Sequence, residues 1–358
     1  MKKRYPRLEI SLEKIRYNTE TVVKVCRSHG IGVTGVTKGV CGNVEIARAM
    51  AEGGAEMLGD SRLENLKGLQ DIRLPKMLLR LPMISQVREV VRYADVSLDS
   101  ELTTLKALSQ AALEQGRRHK VILMIDLGDL REGIFDPDEL YQVVDGSLKL
   151  AAIELWGIGT NLTCFGGVIP TPENLSRLIK LTQTIRAEFG IELMTISGGN
   201  SSSFHLLEKG LLPLGINQLR LGEAILCGTE AAYGKRIVDT YGDSFRLLSE
   251  IIEIKQKPST PIGTIGRDAF GRTPSFMDRG VRKKAICAVG KQDIELESLS
   301  PEDGKITILG ASGDHLVLDI TDSARNYQLG DVIPFRVHYA GILRCMSSKY
   351  IHKEFLRS

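Results

Sequence analysis

The chain of 358 residues reads as an α/β protein, a (β/α)8 TIM barrel with a C-terminal all-β domain. Three observations predict this. Eight short apolar runs alternate with helical patterns over about 220 residues, which is the size and rhythm of a barrel. From about residue 240 the helical patterns stop, and runs rich in Val, Ile and Leu follow one another. The chain is also longer than one typical domain, and 42% hydrophobic residues suffice for a large core. The expected division is a barrel domain over 1–235, its first strand open to sharing with the β-domain, and a β-domain over 236–358.

Leu8–Leu12 reads as an opening strand before a helix. The eight apolar runs fall near 31–37, 56–59, 76–80, 95–98, 121–127, 153–159, 193–197 and 218–221. Between them, helices are expected over Val44–Ala51 behind Asn43 as N-cap, Ser61–Leu69, Val87–Tyr93 and Glu101–Glu114. The clearest helix runs from Pro172 to Phe189, with Thr171 as N-cap and proline in the first helical position. A doubly wound open sheet is the competing arrangement, but it seldom needs eight strands in this span. The later runs Leu247–Ile254, Ala285–Val289, Ile306–Leu309, Leu316–Ile320 and Val332–Tyr339 read as strands with no helices between them. Residues 310–314 (Gly-Ala-Ser-Gly-Asp) suit a hairpin loop.

Composition excludes several classes. Net charge is +3 with the basic residues dispersed, so no nucleic acid or anionic membrane partner is expected. Residues 1–7 are basic but no apolar stretch follows, so no signal peptide is expected, and no run is long enough to span a bilayer. Six scattered cysteines without a C-x-x-C suit reduced thiols in a cytoplasmic protein. Six scattered histidines without H-E-x-x-H predict no metal site. Two phosphate-loop look-alikes are discounted. Residues 30–35 match G-x-G-x-x-G but start a strand instead of a helix, and 228–235 resemble a P-loop with one residue too many. Asp136-Pro137-Asp138-Glu139 reads as a helix start, where carboxylates suit the dipole.

The chemistry-bearing residues cluster at the carboxyl ends of the expected strands, the face where barrels keep their active sites. Lys38 ends strand one; buried there, its ammonium would be depressed in pKa and become an amine nucleophile, although a lysine that merely snorkels at a strand end fits the segment alone. Residues 126–133 (Asp-Leu-Gly-Asp-Leu-Arg-Glu-Gly) follow strand five, and Asn161 follows strand six. After strand seven, two glycines, Asn200 and the serines 201–203 precede a helix and offer backbone N–H groups and hydroxyls to an anion. A serine-rich helix cap is the plainer account of that run. Arg220, Gly222 and Glu223 end strand eight, and loops seven and eight are where barrels often hold phosphate. A nucleophilic lysine and a phosphate cradle on one face point to a phosphorylated aldehyde held as a Schiff base, and pyridoxal 5'-phosphate (PLP) is the obvious candidate.

These motifs resemble the PLP-dependent alanine racemase superfamily, and more narrowly its alanine/ornithine racemase subgroup, over nearly the whole chain. Val36–Val40 is similar to that family's lysine motif, with Lys38 as the Schiff-base residue. Residues 126–133 resemble its D-x-G-x-x-R-x-G element, in which the arginine, here Arg131, approaches cofactor and substrate. Asn200-Ser201 resembles its phosphate motif, with Asn161 and Ser202 beside it. Leu219–Gly222 resembles its Arg-x-Gly element, with Arg220 facing the pyridine nitrogen and Glu223 following. Gly330–Phe335 resembles a closing β-domain motif. The resemblance implies a cytoplasmic homodimer with shared active sites that racemises an amino acid, ornithine first, or alanine, lysine or serine. A decarboxylase of the same fold and a non-catalytic PLP-homeostasis protein are the rivals.

The departures bear on chemistry. Cys41-Gly42-Asn43 and Phe335 stand where the family often has phosphate-contacting tyrosines. The family's second base is a tyrosine in Gly-Tyr-Ala-Asp-Gly; here the nearest segment, residues 266–271, has none. Asp268 is the expected replacement and Cys287 the reserve; a plain turn residue fits Asp268 as well. Asp268 could serve only if burial raised its pKa towards neutrality.

Overall fold

The computed structural model describes residues 4–357. It separates into two compact units, one spanning Leu12–Gly242 and the other combining the opening strand up to Ser11 with the chain from Asp243 onward. That opening strand, β1, spans Arg7–Ser11.

The larger unit is a closed barrel of eight parallel strands. These are β2 (Gly32–Val36), β3 (Met57–Asp60), β4 (Lys76–Leu78), β5 (Val96–Asp99), β6 (His119–Ile125), β7 (Ile153–Thr160), β8 (Thr195–Ser197) and β9 (Gln218–Leu221). Each coincides with one of the eight apolar runs. The ring closes where Gly32 pairs with Gln218 and Thr34 with Arg220. Side chains alternate across each strand. On β6, Ile122 and Met124 join Met57, Met77, Val96 and Leu98 in one cluster, while Val121, Leu123 and Ile125 pack in a second with helix residues such as Leu105, Leu108, Val144 and Leu178. Both faces are buried, which is why these strands read as continuous apolar runs.

The helices begin where local chemistry permits. Asn43 accepts the amide of Ile46 and starts the helix Val44–Glu52. Asp136 accepts the amide of Asp138 and starts the helix Pro137–Leu148. Thr171 and Asn174 form a reciprocal capping box ahead of Pro172–Phe189, which ends at Gly190 in the left-handed region, φ 64°.

The smaller unit is an antiparallel sheet built from β10 (Phe245–Pro258), β11 (Val281–Cys287), β12 (Leu299–Pro301), β13 (Thr307–Ala311), β14 (Leu316–Asp319) and β15 (Val332–Val337), in the order β12-β15-β10-β11-β14-β13. β1 pairs antiparallel with β10 and parallel with β16 (His352–Leu356). Two features depart from the sequence expectation. The final apolar run does not continue to Tyr339 as strand: β15 stops at Val337, and a helix, Tyr339–Ser347, begins behind His338. Its buried Gly341, Ile342, Cys345 and Met346 recur at helical spacing, a signal too short to stand out among strands. β12 has only three residues and β16 is largely polar, so their sequences carry little periodicity.

Candidate active site

Lys38 lies immediately past the carboxyl end of β2 and opens a 3-10 turn, Lys38–Val40. It is half-buried. The turn is pinned beside it. Buried Thr37 donates through its hydroxyl to Asp60 Oδ2 at 2.7 Å and through its amide to the Gly59 carbonyl at 2.8 Å. Asp60, at the end of β3, also accepts from the Arg62 amide and from Asn65 Nδ2. Burial raises its pKa, and these hydrogen bonds counter part of that rise.

β9 brings its residues against β2. A Cβ on Gly222 would stand 3.3 Å from Val36 Cβ, so that turn comes within van der Waals distance of the strand that carries Lys38. Ser201 Oγ accepts the amides of Gly222 at 3.3 Å and Ala224 at 3.1 Å, tying the segment after β8 to the one after β9. With both acceptor positions filled, the Ser201 proton is left to donate. Asn200 accepts the Ser202 amide at 2.7 Å, and its Nδ2 donates to Asn161 Oδ1 at 3.0 Å and to the Leu162 carbonyl at 2.9 Å. Glu223 accepts from Thr229 Oγ1, and burial raises its pKa.

Arg220 is buried on β9 and points its guanidinium across the strand ends. Nη2 donates to the Thr160 carbonyl at 2.7 Å, and Nη1 donates to Ser197 Oγ. Burial lowers its pKa to about 10, with Glu132 and Cys164 favouring and Arg131 disfavouring the charged form. It stays protonated at neutral pH. Arg131 and Glu132 are ion-paired on the loop after β6. That loop has a fixed path. Asp126 Oδ1 accepts the amides of Gly128 and Leu130, the Asp126 amide donates to the Ile134 carbonyl, and the Ile134 amide donates to the Met124 carbonyl. Gly133 sits at φ 123°, and a Cβ there would lie 2.6 Å from the Asp126 nitrogen, so the tuck requires glycine. Buried Asp129 accepts four amides of the next loop, those of Thr163, Cys164, Phe165 and Val168. Burial alone would raise its pKa, but those four donors hold it below the usual carboxylate value.

Among the described residues, several buried polar atoms in this cluster lack a partner: Thr160 Oγ1, Asn161 Nδ2 and Ser202 Oγ. Buried polar groups without partners are uncommon and costly. These sit beside the Asn200-Ser201 pair and the Arg220 guanidinium, and hydroxyl and amide donors of this kind suit the oxygens of a phosphorylated ligand. The chemistry of the donor set thus fits PLP.

The expected residues of the barrel unit, Lys38, Arg131, Asn161, Asn200, Ser201, Ser202, Arg220, Gly222 and Glu223, therefore fall at the carboxyl ends of its strands, and most are joined by direct contacts. Gly222, at the loop where barrels often hold phosphate, spends its amide on Ser201 instead of offering it to an anion. Asp268 and Cys287 belong to the other unit. Asp268 is half-buried between β10 and β11; its carboxylate accepts the amides of Arg272 and Phe270, and these hold its pKa below the usual value. In the single chain it lacks the burial that an acid near neutrality needs. Cys287 is wholly buried on β11, and burial pushes its thiol to about 12. The discounted loop at 228–235 has a physical explanation: Glu230 turns its own carboxylate onto the amides of Ala232, Tyr233 and Lys235, filling the nest an anion would need. Sequence reasoning missed Asp60, Asp129, Glu132, Thr160 and Cys164. Only the charge of Asp129 and Glu132 inside a quoted motif could have drawn attention to them.

Comparison with known proteins agrees with this geometry. Residues 10–230 match the family model described as alanine racemase, N-terminal domain. The chain is 48% identical over 352 residues to the ornithine racemase of Acetoanaerobium sticklandii, covering 98% of this chain and 100% of that one. It is 40% identical over 354 residues to the lysine racemase of Thermotoga maritima, covering 98% of each. In fold it is similar to the alanine racemase of Bartonella henselae with covalently bound pyridoxal phosphate, with a TM-score of 0.74 at 17% identity, covering 98% of this chain and 99% of that one.

Proposed function

We propose that this chain, which belongs to the alanine racemase family, interconverts L- and D-ornithine with PLP as its cofactor. The observation that carries the reading is the full-length likeness to the ornithine racemase, with the lysine, arginine and Asn-Ser elements standing in order on one barrel face.

Lys38 is the residue to hold the cofactor covalently; Ser201 and Ser202 offer hydroxyl donors to its phosphate, Asn200, whose side-chain hydrogens are spent on Asn161 and Leu162, offers its backbone amide, and Asn161, Arg131 and Arg220 flank them. Gly222 and Glu223 act behind this layer, Gly222 by donating to Ser201 and Glu223 by holding Thr229. When bound, PLP supplies an electron sink that acidifies the substrate α-proton. With the cofactor bound, Lys38 Nζ would take or return that proton on one face. Arg220 offers only donors, and its two hydrogen bonds to Ser197 and Thr160 fix the direction of the guanidinium, so it presents a cation and accepts no proton. Arg131, with its fork of donors, suits a carboxylate. A proton donor on the opposite face completes inversion, and Asp268 remains our candidate.

The smaller unit supports a homodimer with shared sites. Its segment between β10 and β11 exposes Ile262, Ile265, Phe270, Phe276 and Met277 around Asp268, more apolar surface than a stretch facing water ordinarily carries. Burial of this segment against a second copy would also remove Asp268 from water. The reduced, scattered cysteines suit a cytoplasmic setting, and among the described residues no helix is long and apolar enough to cross a membrane. The buried, high-pKa thiol of Cys287 gives a decarboxylase reading no ready acid.

Chiral chromatography after incubation with L-ornithine, L-lysine, L-alanine and L-serine tests the proposal. Appearance of D-ornithine ahead of the other D-isomers is expected. Preference for lysine would reassign the substrate, and release of carbon dioxide without inversion would overturn racemisation.

A further inference from the structure

The structure assigns Glu132 a role that rests on the reading above: it is the positioning residue that aims Arg131 and offsets one of the two guanidinium charges at the barrel mouth. The backbone that carries it is held on every side. Asp126 gathers the amides of Gly128 and Leu130 at 2.8 and 3.2 Å, Asp129 locks the loop to residues 163–168, and Gly133 is wedged against Asp126. On this support Glu132 meets Arg131 through both carboxylate oxygens: Arg131 Nη2 donates to Oε1 at 2.5 Å and Nε contacts Oε2. A two-pronged pair fixes the plane of a guanidinium as well as its place. The Glu132 side chain is 17% exposed and that of Arg131 40%, so the carboxylate is the sheltered partner and the arginine reaches outward.

Glu132 acts on Arg220 as well. It is the charge that most favours the protonated form of that buried arginine, while Arg131 opposes it. Two guanidiniums and one carboxylate therefore share the site, with Cys164 the other titratable neighbour of Arg220. Without Glu132, Arg131 would lose the two-pronged partner that sets its plane, and the carboxylate that offsets its charge would be gone. A surface ion pair between adjacent residues contributes little by itself. The value of this one lies in where it directs Arg131.

The test uses the holoenzyme. Borohydride fixation of the cofactor to the Lys38 peptide comes first; fixation elsewhere would overturn both the functional reading and this inference. Glu132→Gln, Arg131→Met and the double variant are then compared. Loss of a group that orients another typically costs about 10–100-fold, and kcat/KM is expected to fall by about that factor in Glu132→Gln. If Glu132 works through Arg131, the double variant falls no further than Arg131→Met alone. In Glu132→Gln the added net positive charge should also move the pH midpoint of the visible absorption of the lysine-bound cofactor downward by about one unit. Glu132→Asp, which keeps the charge on a shorter stem, should hold that midpoint while recovering only part of kcat/KM. Additive losses in the double variant with an unmoved midpoint would overturn the assignment while leaving the racemase reading intact.

Discussion

Ser201 shows how one hydroxyl can serve structure and ligand together. Its oxygen accepts two backbone amides, those of Gly222 and Ala224, and its proton is free for an anion. Ser201→Ala should weaken PLP retention by about 1.5–3 kcal/mol, the worth of one hydrogen bond to a charged group, read as a rise in the cofactor dissociation constant by absorbance. Ser201→Asp should be far worse, because it sets like charges together; unchanged affinity in both would place the anion elsewhere. The Asn-Ser pair was legible in the sequence because its residue types and its place after a strand both speak for anion binding. The coupling of Ser201 to Gly222 was not, because it depends on two loops far apart in the chain meeting. A second buried group carries a pH prediction. Asp99 accepts from Ser97 Oγ at 2.6 Å, its other oxygen has no partner among the described residues, and burial raises its pKa to about 7. A raised carboxyl stabilises fully below its unfolded value and loses that contribution as pH climbs through about 7. Neighbouring His119, within hydrogen-bonding distance of the same hydroxyl, runs the other way: burial lowers its pKa to about 4, so its contribution is present above the unfolded value and lost as pH falls towards 4. Asp99→Asn should therefore gain stability relative to the parent as pH rises from 4 to 8, by a few kcal/mol at most, measured by denaturant melts across that range. A pH-independent difference would show that Asp99 does not titrate there.

At the scale of elements, Asp129 joins the loops that leave the paired strands β6 and β7, a contact that the strand pairing brings near but does not itself make. Four amides converge on one carboxylate, and an asparagine in its place would turn an N–H towards some of those donors. Asp129→Asn is expected to cost about 3 kcal/mol and to raise amide hydrogen exchange at residues 163–168 before any other part of the barrel. Uniform loss of protection would mean the carboxylate supports the whole unit instead of that loop. The long helix Pro172–Phe189 gives a simpler case. Removing its cap, Thr171→Ala, should cost about 1 kcal/mol, seen as a lowered denaturant midpoint. Helix starts of this kind were legible because a cap is a local arrangement, written in four consecutive residues. The helix Tyr339–Ser347 was not, because its apolar spacing spans only two turns and lies among strands.

For the whole molecule, the barrel was legible because strands buried on both faces must be apolar throughout, so each left a separate mark between helices. The sheet of the smaller unit was legible only in its apolar strands; β12 and β16 owe their place to neighbours that supply the ladder. What no strand pattern reveals is how two copies would complete one site, and that question has a direct test. If a site takes Lys38 from one subunit and Asp268 from its partner, Lys38→Ala and Asp268→Asn each inactivate both sites of their own homodimer. In a mixed dimer one site receives both lesions and the other receives none. Random mixing makes half of the dimers mixed, so about one quarter of the parent activity should return after the two inactive proteins are unfolded and refolded together. Recovery separates a shared site from one completed within a single chain, where every site would retain one lesion and nothing would return. Deuterated buffer then separates the roles of the two residues. Asp268→Asn should still exchange the α-proton of one ornithine enantiomer through Lys38 while racemisation collapses, whereas Lys38→Ala should exchange neither. Normal racemisation by Asp268→Asn would remove that residue from the chemistry and leave the opposite face to another donor.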